Sequence, residues 1–174
     1  MLLMGLSEEQ LLAQFAATRK ASTQLAMAPT ERKQLVLHAL ASLLTEQSSQ
    51  ILAANQLDVD QMAFDNPMRD RLLLTTQRIQ DLADSVRDVA LLPDPSGQVL
   101  LHKTLANGLD LQKIAVPLGV VGVIYESRPN VTIDVAALCV RSGNAAVLRG
   151  GTDAWHTNQI LVSLIHQALQ KAEF

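Results

Sequence analysis

The chain has 174 residues, of which 48% are hydrophobic and 18% charged, with a formal net charge of −3. These values describe a packed globular protein with room for one domain or a domain plus a helical extension, and exclude a disordered chain. The acidic balance and the absence of any basic run argue against a nucleic-acid surface.

The first residues, 1–6, are apolar but have no basic flank, so they do not read as a secretory signal. No apolar run approaches the ~18 residues of a membrane span, and the expected compartment is the cytoplasm, with no membrane partner. A capping box at Ser7 and Gln10 then opens a helix carrying Leu11, Leu12, Phe15, Ala16 and Leu25, which Pro29 ends. Thr30 and Glu31 start a second helix with Leu35, Val36, Leu40, Leu43 and Leu44 on its apolar stripe. A third helical stretch covers residues 48–64 and stops at Asn66-Pro67. A fourth covers 75–91 with Ile79, Leu82, Val86 and Val89, and Pro93, Pro95 and Gly97 close the helical half. The carboxylates of this half follow the spacing of a solvated face.

The texture changes at Gln98. Apolar segments 99–101 and 109–116 flank Asn107-Gly108, a strong hairpin signal. Residues 119–125, GVVGVIY, form a β-branched run without alternation, as expected of a strand covered on both faces. A helical pattern over 131–141 ends at Gly143, a second apolar strand occupies 144–148, and Gly150-Gly151 leads into a helix from Thr152 to about Ala172. The reading is an α/β chain: a helical region (1–97), a hairpin arm (98–116), and a βαβα unit (117–174) of a parallel, Rossmann-like sheet.

Open parallel sheets bind ligands beyond the carboxyl ends of their strands, which here are residues 125–130 and 149–151. Arg149 supplies a planar cation, the diglycine permits close backbone approach, and the following helix offers N–H groups to a phosphate. A tight strand-to-helix turn explains the glycines equally well, because no G-x-G-x-x-G fingerprint is present. Cys139 lies on an apolar helix face and reads as a small buried hydrophobe. His38, His102, His156 and His166 are dispersed, with no nucleophile or acid expected nearby. Neither they nor the single cysteine suggest a metal site.

The segment VPLGVVGVIYESRPNVTIDVAALCVRSGNAAVLRGG, residues 116–151, resembles the cofactor-binding part of the aldehyde dehydrogenase superfamily. Within it, ESRPNVT and LRGG are similar to the γ-glutamyl phosphate reductase (glutamate-5-semialdehyde dehydrogenase) family, as are AANQLDV, RDRLLLT and DPSGQV in the first half. The resemblance implies an NADPH-dependent oxidoreductase of proline biosynthesis that reduces the small molecule γ-glutamyl phosphate, and a homo-oligomer when intact. It implies that Ile124, Tyr125 and Glu126 line the nicotinamide-ribose side of the cleft. Arg149, Gly150 and Gly151 would serve the adenosine end, with Arg149 suited to the 2′-phosphate and Asp153 a turn inside the helix. Asn130 resembles an oxyanion donor, although its register against the general P-W-N-F-P pattern leaves Arg128 as an alternative, and its side chain equally suits a helix N-cap. Arg128 is read either as a substrate-anion ligand or as the partner of a neighbouring Glu. The family's nucleophilic cysteine lies in a later domain, so the expectation is an N-terminal fragment inactive alone. The alternative is a non-catalytic module that binds a nucleotide or a partner.

Overall fold

The computed structural model describes residues 7–174. The apolar start at residues 1–6 lies outside them. Helix α1 (Glu8–Ala26) begins with the expected capping box, in which the Ser7 and Gln10 side chains each accept from the other's backbone N–H. Next come α2 (Thr30–Glu46), α3 (Ser48–Gln61), a single turn α4 (Arg69–Leu72) and α5 (Thr76–Leu91), capped by Thr75. The turn α4 was not foreseen. It is organised by Asn66, whose Oδ1 accepts from Met68 N at 2.9 Å, and by Arg69, which donates to the carbonyls of Val59 and Met62.

Strands β1 (Val99–Thr104) and β2 (Asp110–Ile114) form the expected antiparallel hairpin, with Lys103 opposite Leu111 and a bulge at Leu100. The loop is not a two-residue Asn-Gly turn. Gly108 N donates to Leu105 O, and Gly108 adopts φ +84°, which places a three-residue loop between Leu105 and Leu109. Both strands are exposed at every residue, so the arm stands off the body.

Strand β3 (Val120–Ile124), helix α6 (Pro129–Arg141), strand β4 (Ala145–Arg149), a 3-10 turn (Thr152–Ala154) and helix α7 (Trp155–Lys171) complete the chain. β3 and β4 pair in parallel, with Ile124 opposite Arg149, so both carboxyl ends share one edge. The expectation of a doubly covered β3 fails. Its burial alternates, and Ile124 is 79% exposed. The cause is that α1 is the one helix making more than passing contact with β3 among the described residues, so its faces are not covered as the run predicts, and β4 is its one strand neighbour there.

One core joins α2, α3, α5, α6 and α7 through Leu37, Leu44, Ile51, Ile79, Ile133 and Leu161. The stripe on α2 is rotated from the expected one: Leu35 is exposed and Leu37 is buried. That rotation carries Lys33 inward, where its ammonium, 1% exposed, pairs with Asp94 Oδ2 at 2.8 Å. Ser96 Oγ lies 3.3 Å from the same ammonium and donates to Ser142 O, so α2, the turn after α5 and the end of α6 are tied together. Gly143 closes α6 at φ +72°, and a Cβ there would meet Pro117 Cγ at 3.0 Å and Lys33 Nζ at 3.2 Å. No helix among the described residues is long and apolar enough to cross a membrane.

Burial pushes the Asp94 carboxyl up, but the hydrogen bonds from Lys33, Ser96 and Thr30 outweigh it and hold the group at about 2, below its usual 3.8. The pairing stabilises the fold by about 2 kcal/mol at neutral pH, an amount fully present above the unfolded value near 4 and lost as pH falls towards 2. Asp94→Asn leaves a buried ammonium without its counter-ion, so it should cost about 3 kcal/mol at pH 7. Urea unfolding should show the gap between parent and variant narrowing from pH 4 to pH 2.

Candidate functional site

Of the residues the resemblance assigns to the cofactor or substrate, Ile124 ends β3, Tyr125, Glu126 and Arg128 lie on the turn after it, Arg149 ends β4, Gly150 and Gly151 follow it, and Asn130 is in the first turn of α6. The two turns interlock. A Cβ on Gly151 would lie 2.2 Å from Ser127 Oγ and 2.9 Å from Ser127 N; one on Gly150 would lie 2.6 Å from Asn158 Nδ2 and 3.1 Å from the Tyr125 ring. The glycines therefore admit the neighbouring turn of the protein itself. Beneath them, Tyr125 donates to Thr132 Oγ1 at 2.6 Å, because the Thr132 hydroxyl is committed to Asn158 Oδ1 at 2.7 Å. Burial pushes the Tyr125 phenol up, with the Thr132 bond a smaller opposing effect.

The helix after the diglycine does not present free N–H groups at its first turn. Asp58, buried on α3, accepts from His156 N at 3.0 Å, from Thr157 N at 2.8 Å and from Thr157 Oγ1 at 2.6 Å. A carboxylate of the protein thus occupies the position that an anion would take at a helix N-terminus. His156 Nδ1 lies 2.7 Å from Asp58 Oδ1, and His102 Nε2 lies 3.8 Å from Asp110, so two of the four histidines do have acids beside them. Asp58 also departs from the solvated-face reading of the helical half. Sequence reasoning missed it, yet it shares the Ile51, Asn55, Val59 face of α3, and that spacing was the available signal.

At the carboxyl edge, Arg149 is exposed and forms no ion pair among the described residues. With Arg19 of α1 and the apolar groups Phe15, Val120, Ile124 and Val147 it bounds a concavity of about 490 Å³. Asp153 is not a turn inside α7. It stands in the 3-10 turn, where its carboxylate accepts from Ser127 Oγ at 3.3 Å.

The turn before α6 divides the remaining roles. Arg128, not Asn130, is the N-cap; Pro129 is at N1, and the exposed Asn130 side chain donates to Asp134 Oδ2 at 3.2 Å. Burial pushes the Asp134 carboxyl up, and the Asn130 bond partly offsets that. Arg128 Nε is 3.8 Å from Glu126 Oε2, which also accepts from Arg71 at 3.2 Å. Arg128 therefore does neighbour a Glu, and with Asn130 it lines a second cleft.

Cys139 is 7% exposed, and burial pushes its thiol up, as its apolar setting suggested. It lines an apolar cavity of about 350 Å³ beneath α1 with His166, whose pKa burial lowers. No group of three or more His, Cys, Asp or Glu among the described residues could hold a metal ion.

Comparison with known proteins gives a consistent likeness. No family model matches the chain. It is 53% identical over 157 residues to the γ-glutamyl phosphate reductase of Proteus mirabilis, a match covering 88% of this chain and 38% of that protein. The crystal structure of γ-glutamyl phosphate reductase from Thermotoga maritima superposes with a TM-score of 0.87 at 36% identity, over 92% of this chain and 40% of that one. A NAD-dependent benzaldehyde dehydrogenase from Corynebacterium glutamicum shares the fold, with a TM-score of 0.75 at 21% identity over 92% of this chain and 33% of that one. The chain thus spans about 38% of the length of the curated relatives it matches.

If the diglycine is packed against Ser127, Gly151→Ala must push that turn away and should cost about 1–3 kcal/mol. Gly122→Ala adds a methyl where nothing lies within 4 Å and should be neutral or slightly stabilising. Chemical denaturation of the two variants side by side checks this, and equal losses would refute the interlocked turns.

Proposed function

We propose that this chain, a relative of the γ-glutamyl phosphate reductases over 88% of its own length, forms the adenosine end of an NADPH cleft and one wall of a substrate entrance. The observation that carries the reading is Arg149: an exposed guanidinium without an ion pair among the described residues, at the carboxyl edge of a parallel strand pair, beside the exposed apolar Ile124. Open sheets take their ligands at this edge. A planar cation there suits the 2′-phosphate that distinguishes NADPH from NADH.

The residues fit the dinucleotide unevenly. Arg149 and Ile124 have the exposure that a ligand needs, whereas Gly150 and Gly151 hold the turn close to Ser127 and act through its shape. Tyr125 supports the floor through Thr132, and Glu126 faces Arg71 and Arg128. When bound, the dinucleotide supplies the hydride that reduces γ-glutamyl phosphate to glutamate 5-semialdehyde, with release of phosphate, in proline biosynthesis. Asn130 would offer its amide to the oxygen that gains charge in that reaction, in exchange for its present bond to Asp134. Arg128 would hold an anionic group of the substrate. Cys139 is the only cysteine in the sequence, and its burial and raised thiol pKa unsuit it to attack the acyl group. The nucleophile of the reaction must therefore come from outside these 174 residues. The cytoplasm is the compartment that suits this chemistry, and the exposed β1–β2 arm suits a subunit contact. A second reading, a partner-binding module without catalysis, draws on the same arm and on the unpaired edge of β3.

Arg149→Ala should raise the NADPH dissociation constant about tenfold or more, as for the loss of a charge-assisted bidentate contact, and leave NADH nearly unchanged. Fluorescence titration of the reduced cofactors measures both; equal losses would move Arg149 to a role in the shared pyrophosphate or in folding. The isolated chain should give no phosphate-dependent oxidation of glutamate 5-semialdehyde with NADP. Turnover abolished by Cys139→Ser would overthrow the assignment of Cys139 as structural.

A further inference from the structure

A cleft of about 400 Å³ lies between α4, α5 and the turn before α6, and it shares no lining residue with the concavity at Arg149. Two guanidiniums from separate elements converge on one carboxylate at its edge. Arg71 of α4 donates to Glu126 Oε2 at 3.2 Å, and Arg128, the N-cap of α6, has its Nε 3.8 Å from the same oxygen. Only the first contact is within hydrogen-bond reach. The Arg128 side chain is 43% exposed, but its Nε is buried and has no hydrogen-bond partner among the described residues.

A buried N–H left without an acceptor is uncommon and destabilising, and it marks a place where an oxygen belongs. Glu126 fills that place poorly. Its side chain is 62% exposed, so it can leave for solvent at little cost. Two guanidinium groups around one displaceable carboxylate suit a ligand carboxylate better than a single lysine would, because their planar forks can each offer paired donors. Three carboxylates line the same cleft: Asp70, which is paired with Arg78, Asp81, which accepts from Gln77, and Asp134 beside Arg128. Asp134 is half-buried, and its side-chain hydrogen bond comes from a neutral amide, that of Asn130. Opposite charges in one cleft match the carboxylate and the ammonium of an α-amino acid.

We propose that Arg71 and Arg128 seat the α-carboxylate of an amino-acid substrate, and that Glu126 is the resident group which that carboxylate displaces. Asp134 meets the ammonium. The substrate's identity as a glutamyl compound rests on the reductase reading, whereas the seat itself is independent of cofactor binding at Arg149.

The test is a titration of the isotope-labelled 174-residue chain with L-glutamate, glutarate and inorganic phosphate, following the arginine Nε–H resonances. L-glutamate should shift the Arg71 and Arg128 signals saturably. Arg71→Gln and Arg128→Gln should each weaken it about fivefold or more, and Asp134→Asn should weaken L-glutamate but not glutarate. Glu126→Gln should tighten L-glutamate by about threefold, because the competing carboxylate is gone. An ion pair that served only the fold would give the opposite: lower melting temperature and no gain in affinity. The proposal is overturned by the absence of that gain, by a lack of saturation with L-glutamate, or by phosphate holding these arginines as tightly as L-glutamate does. Loss of NADPH binding with an intact L-glutamate response would sink the cofactor reading alone.

Discussion

The carboxylate of Asp58 is the joint between the helical half and the strand–helix unit. It is buried on α3, and it bonds two backbone N–H groups at the start of α7, the Thr157 hydroxyl and the His156 ring. A negative charge at a helix N-terminus satisfies orphan donors and meets the positive end of the helix dipole at once. Asn55, one turn earlier on α3, reaches the other way: its amide donates to Leu72 O and Thr157 Oγ1, and its oxygen accepts from Leu74 N. Two neighbouring side chains thus set the diglycine turn, the start of α7 and the α4–α5 junction relative to one another. The concavity at Arg149 and the cleft at Arg71 both depend on that setting.

The two openings differ in charge and polarity. The one at Arg149 has an apolar floor and arginines at its margin, a surface suited to a flat ring system bearing phosphate. The one at Arg71 and Arg128 presents both signs of charge, a surface suited to a small zwitterion. Between them, the interlocked turns at Ser127 and Gly151 leave no room for a ligand to pass at the diglycine itself. The glycines are therefore part of the scaffold that keeps the two openings apart.

Much of the fold was legible from local signals. The capping box at Ser7, the proline breaks, the Asn107-Gly108 hairpin and the βαβα order all appear where the pattern placed them, because each depends on backbone chemistry within a few residues. What was not legible depends on distant partners. Lys33 and Asp58 are charged residues on amphipathic helices, and nothing nearby in the chain reveals that Asp94 and the start of α7 will meet them. The same holds for Arg71, which lies 55 residues from Glu126. The exposure of Ile124 was hidden for another reason: a continuous apolar run predicts a strand covered on both faces, and among the described residues only α1, of the helices, makes more than passing contact with β3. The burial of Cys139 was readable because the apolar run of its own helix already turns it inward.

The measurement closest to the centre of this reading compares adenosine 2′,5′-bisphosphate with AMP as ligands of the labelled chain. If the edge at Arg149 is a 2′-phosphate seat, the bisphosphate shifts the Arg149 side-chain and Ile124 methyl resonances saturably, while AMP at the same concentration leaves them in place. Equal responses to the two nucleotides, or shifts confined to residues away from the carboxyl ends of β3 and β4, would contradict it.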